Sequence, residues 1–104
     1  MKQGAELINA RVRHALAPDS FDLPSDTRIQ HVGPGSLVKI GVTFPSTDDG
    51  PNGERFWVQV TQRTGDRFVG RVDNVLAATD EHGLRLHDEI AFVASNIFDT
   101  DTLD

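Results

Sequence analysis

Cysteine and tyrosine are both absent from this chain, and tryptophan occurs once. Without thiols there is no disulfide, no zinc–thiolate centre, no iron–sulfur ligation and no cysteine nucleophile. Such a composition suits a reducing compartment. Long apolar runs are missing as well. No stretch approaches the roughly 18 to 20 apolar residues needed to cross a bilayer, and the opening MKQGAELINARVRHALAP has no continuous apolar segment of the secretion-signal kind. The expectation is a cytoplasmic protein without membrane contact. Positive charge is scarce: 10 basic residues stand against 16 acidic ones, a formal net charge of -6. Nucleic-acid phosphates and anionic lipids repel such a chain unless its basic groups cluster. Arg55, Arg63, Arg67 and Arg71 do cluster, in one hairpin.

What is there reads as one domain of 104 residues, large enough for a core without staples. Ala5, Ile8, Val12, Ala15 and Leu16 fall at helical spacing, so a helix is expected over 5–17, ended by Pro18 and starting without a strong cap. So short a helix must dock its apolar stripe on something. A connector with Phe21 and Leu23 as anchors leads to a strand over 36–44 in which Val38, Ile40, Val42 and Phe44 share one parity. A polar loop, 46–54, precedes the hairpin GERFWVQVTQRTGDRFVGRVDN. Here Phe56, Val58 and Val60 face inward, matched by Phe68, Gly70 and Val72. All are even-numbered, so a two-residue Gly65-Asp66 turn would pair even with odd; burying one face therefore requires a three-residue loop or a bulge. A loop with Val75 and Leu76 as tethers leads to a last strand near 89–93, with Ile90 and Phe92 inward, and an acidic tail over 99–104 is expected to fray. The strand-rich core spans 36–98. The fold class is α+β: an N-terminal helix on a small curled antiparallel sheet, or an SH3-like partial barrel of four to five strands.

SFDLPS, SLVKIG, GERFWVQV, GDRFVGRVDN and GLRLHDEIAF, in that order, resemble a bacterial family known only as a domain of unknown function, the YegJ-like group. The similarity covers most of the chain, and the GER-aromatic-WV block is its most specific part. The group's pattern usually continues the DN with Asp-Pro and has Gly before the Asp of the last strand; here Val75 follows Asn74 and His87 precedes Asp88. The resemblance implies a single intracellular bacterial domain with a strand-rich core. It transfers no catalytic residue. Some members sit beside ankyrin repeats and others look related to immunity-type proteins, which implies binding rather than turnover.

Chemistry-bearing patterns are sparse. There is no Gly-x-Ser-x-Gly elbow, and the glycine runs GPG and GPNG precede no helix. Asp48, Asp49 and Glu54 lack the spacing of a calcium hand. His82 and His87 lie among acidic residues, five apart on a loop–strand junction, and are expected to be solvated side chains rather than metal ligands. No enzyme activity, cofactor or metal is expected. Trp57 shares the outer strand face with Gln59, Thr61 and Arg63. It is either an interface anchor or buried beneath the N-terminal helix, and the second reading is preferred because large aromatics are mostly buried. The remaining clustered polar strip on rigid strands, Glu54, Arg55, Arg71, Asp73 and Asn74, joins Trp57 as the expected binding surface. The expected partner is another protein; a small-barrel nucleic-acid-binding domain using the hairpin arginines is the alternative.

Overall fold

The computed structural model describes residues 1–45 and 52–103, so most of the loop expected at 46–54 lies outside the described residues. Six strands form one antiparallel sheet: β1 (Glu6–Leu7), β2 (Leu37–Thr43), β3 (Gly53–Thr64), β4 (Arg67–Val72), β5 (Glu89–Val93) and β6 (Asp99–Thr100). Their order is β1-β2-β3-β4-β5, with β6 also on β2. The sheet curls until it is nearly closed, giving the α+β small barrel that the strand pattern predicts. Three short helices, α1 (Ala10–Leu16), α2 (Asp26–Gln30) and α3 (Thr79–His82), and a 3-10 turn at Ala94–Asn96 complete it.

Parity decides the core. Val38, Ile40, Val42, Phe56, Val58, Val60, Phe68, Val72, Ile90 and Phe92 are all buried, because alternate residues of a curled strand point to one side. Phe68 and Phe92 stack across β4 and β5, 5.3 Å apart and 7° from parallel. The hairpin closes through the two-residue turn Gly65-Asp66, with Thr64 opposite Arg67, and a bulge between Val60 and Gln62 restores even-to-even pairing from Val60↔Gly70 onward. Gly70 has no room for a side chain: a Cβ there would lie 2.4 Å from Val58 Cγ1 and 2.6 Å from the Gln59 carbonyl.

The two ends of the chain differ from expectation. The N-terminal helix is shorter than 5–17, because Glu6 and Leu7 pair with Thr43 and Val42 instead. Asn9 is the cap, its side chain accepting the Val12 N–H at 3.1 Å, where the sequence reading saw no strong capping residue. Ile8 and Ala10 are buried, but Val12 is 56% and Leu16 78% exposed, so the apolar stripe does not dock; α1 packs instead against the 3-10 turn. The tail does not fray over 99–103. β6 pairs with Val38 and Lys39, Thr100 is buried, and Asp101 exchanges hydrogen bonds with the Leu37 backbone. Arg28, on α2, donates from Nε to the Thr102 carbonyl at 2.9 Å and from Nη2 to the Thr100 carbonyl and Asp99. A basic residue 71 positions upstream pairs with Asp99 of the tail, which composition alone could not reveal.

Candidate functional site

The six residues of the expected strip do not act together. Glu54 has the parity of Phe56, and its carboxylate is drawn towards the interior. Its two oxygens accept the N–H groups of Ala77 (2.7 Å) and Ala78 (2.9 Å) and the Nε2 of His82 (2.9 Å). Burial opposes its charged form, but the hydrogen bonds from Ala77, His82 and Ala78 and the attraction of His82 outweigh burial, holding the carboxyl below its ordinary value. Asn74 is likewise used locally: its Oδ1 accepts the Trp57 N–H at 2.7 Å and its amide donates to the Val75 carbonyl. Glu54 and Asn74 thus anchor the loop between β4 and α3.

Four residues of the strip remain on the outer face. Trp57 is half-buried, with the Lys39 ammonium 5.6 Å from its ring centre. The exposed Val12 and Leu16 supply no apolar cover for it. The cover over this face comes from Phe21 and Phe98, and it centres on Arg55, whose guanidinium lies 4.8 Å and 4.1 Å from the two rings. Arg71 and Asp73 are exposed and make no side-chain hydrogen bond or ion pair with a described residue.

His82 corrects the expectation of a solvated side chain, being completely buried beside Phe44 and Phe56. Its Nδ1 accepts the Leu84 N–H at 3.0 Å, so the ring proton sits on Nε2 and is donated to Glu54. Both nitrogens are occupied, which leaves no lone pair to serve as a base. His87, by contrast, is exposed, with a left-handed φ of 74°.

A second surface escaped the sequence reading. Where β1 and β5 approach without pairing, a seam remains open as a groove of about 590 Å³. Leu7, Phe68, Ala91, Phe92 and Val93 line it, and Gln62, Thr64 and Arg67 stand at one end. The backbone arithmetic matters more than the volume. Val72 N–H bonds to the Asp88 carbonyl and Ala94 N–H to that of Asp66. Hydrogen-bonded pairs alternate in an antiparallel ladder, so even-numbered residues of β5 bond to β4 and odd-numbered ones point away. On β1, Ile8 N–H bonds to the Gly41 carbonyl, and the same alternation turns the backbone of Leu7 away from β2. Ala91 and Leu7 therefore present unpaired N–H and C=O groups across the seam. Asn96 ties the two lips at one end, accepting the Val93 N–H at 2.9 Å and donating to the Ile8 carbonyl at 3.0 Å. No helix among the described residues is long and apolar enough to cross a membrane. No protein-family model, no curated protein and no solved structure matches this chain.

Proposed function

We propose that the chain is a non-catalytic, cytoplasmic protein-interaction module, and that it takes an extended segment of another protein as an added strand along β5. The observation that carries this reading is the pair of unpaired backbone edges at Leu7 and Ala91, facing an apolar groove. Main-chain hydrogen bonds would supply affinity, and alternate side chains entering the groove would supply selectivity. Arg67 at the rim has no carboxylate partner among the described residues, so the favoured segment alternates apolar residues and carries an acidic one. The resemblance to the YegJ-like group, with its immunity-type associations, points the same way. The nucleic-acid alternative is weakened because Arg63 is already used: it donates to the carbonyls of Ile29 and Val32 at 2.8 Å and lies over the Phe68 ring.

Selection of displayed random peptides on the immobilised domain tests this directly. Selected peptides should be acidic with alternating apolar residues, and should perturb the amide resonances of Leu7, Ala91 and Val93. Ala91→Pro, which removes only an outward N–H on an edge strand, should abolish binding. Failure to select any peptide, undiminished binding by Ala91→Pro, or self-association through β5 would each overturn the proposal.

A further inference from the structure

Arg55 points to a second site, which shares no lining residue with the seam. Its stem crosses Gly41, where a Cβ would lie 3.2 Å from Arg55 Cγ and 3.3 Å from the Phe98 ring, so the glycine makes room for the stack. Phe21 and Phe98 are only 5.3 Å apart and tilted by 53°. That is too close to sandwich a guanidinium, so they form a V that holds Arg55 from one side. Arg55 is exposed to solvent while seated on this V, and its side chain makes no hydrogen bond or ion pair with any described residue.

The charges around it are arranged against self-neutralisation. Arg13 and Arg55 flank one depression, and burial followed by the like charge of Arg13 lowers the proton affinity of Arg55. The neighbouring carboxylate, Glu54, is turned away to Ala77, Ala78 and His82. On the other side of Arg55, a cleft of about 310 Å³ brings in Lys39, whose described side-chain contact is the Trp57 ring. The cleft's carboxylates are Asp22 and Asp99, and Asp99 is taken by Arg28 at 3.3 Å and by the Thr100 N–H at 2.8 Å. With Arg28 and Asp99 paired, the cleft sets Arg55 and Lys39 against the single carboxylate of Asp22, an excess of positive charge on a chain of net charge -6 that attracts an anion.

We propose that this cleft binds a phosphate monoester dianion, with Arg55 as the fork, Lys39 beside it in the cleft, Arg13 adding positive potential from the adjoining depression, and Phe21 beside the organic portion. A guanidinium matches phosphate geometry with two parallel N–H donors, and Lys39 in the cleft with Arg13 in the adjoining depression supplies further positive charge that favours a dianion over a single carboxylate. Free phosphate and an organic phosphate share this chemistry. Titration of the full chain at constant ionic strength with inorganic phosphate, phosphoserine and adenosine monophosphate separates them. Saturable shifts of the Arg55 Nε–H and Phe21 ring resonances are expected. Arg55→Gln should weaken binding at least about tenfold, the scale of one charge-assisted hydrogen bond, and Arg13→Gln should weaken it less, while Arg71→Gln leaves it unchanged. Tighter binding of either ester than of inorganic phosphate assigns an organic ligand; equal binding assigns free phosphate. Should Arg55→Gln fail to fold, Arg55→Lys serves, keeping charge while losing the fork. No saturation by any of the three, or saturation indifferent to positions 13 and 55, would overturn the site.

Discussion

The outer edges of β2 and β5 are treated in opposite ways. Along β2 the odd-numbered carbonyls are each taken: Leu37 by Asp101, Lys39 by Phe98 and Gly41 by Ile8. Two separate pieces of chain, the N-terminal strand and the tail, are brought in to cover it. Along β5, Ala91 has no such partner among the described residues, and Asn96 closes one end. A bare strand edge invites pairing with other chains, and proteins ordinarily blunt it. The chain thus covers one edge with two of its own segments and leaves the other open among the described residues.

The comparison can be broken most forcefully by ending the chain after Phe98. That removes β6, bares the β2 edge and leaves Arg28 without its acceptors. We expect a loss of about 4 kcal/mol, the scale of several hydrogen bonds and an orphaned charge, together with self-association. Urea unfolding and sedimentation would report both, and an unchanged midpoint would mean the strap is incidental.

The buried dyad gives the next largest effect. His82→Ala should cost about 3 kcal/mol, from a cavity plus two unsatisfied partners, Leu84 N–H and Glu54. Glu54 adds a pH signature. Its folded carboxyl lies below the ordinary 4.5, so its contribution is complete above the ordinary carboxylate range and is lost as pH falls through the folded value. Urea midpoints measured downward from pH 6 should therefore fall more steeply for the native chain than for Glu54→Gln; parallel curves would refute the assignment.

Ala91→Pro should change the unfolding free energy by less than about 1 kcal/mol, because its N–H faces the open seam. Lys39→Pro, on the sealed edge, should cost several times more. Equal costs would erase the distinction between the edges. Smallest of all, Val12→Lys with Leu16→Lys should change the unfolding free energy, measured by urea unfolding, by less than about 0.5 kcal/mol, as expected for solvent-facing positions. A large drop would restore the docked helix that the exposure of these residues contradicts.

Much of this was legible locally. The parity of residues 56–60, 68–72 and 90–92 selected the core, and the clash between that parity and a Gly-Asp turn demanded a three-residue loop or a bulge, of which the structure has the bulge beyond Val60. Both follow from the two-residue repeat of a strand, which needs no partner to be read. The candidate surface was less legible. Glu54 read as part of a polar strip because its hydrogen-bond donors come from residues 77–82, and Trp57 read as helix-covered because a helix over 5–17 was expected, whereas Glu6 and Leu7 pair with β2 and the helix begins only after its Asn9 cap. His82 read as solvated amid acidic neighbours, yet it fills the core since α3 folds back over Phe44 and Phe56.

By itself, then, the sequence determined which side of each strand is buried and that the hairpin needs a three-residue loop or a bulge, because both follow from the two-residue repeat of the strands themselves. Which edge is sealed, which carboxylate is withdrawn and which arginine is left unpaired were decided only by tertiary structure. Those outcomes depend on contacts such as Arg28 with Thr102 and Glu54 with His82, 74 and 28 residues apart. No periodicity records such contacts, since their free energy exists only once the sheet has curled and brought the two partners together.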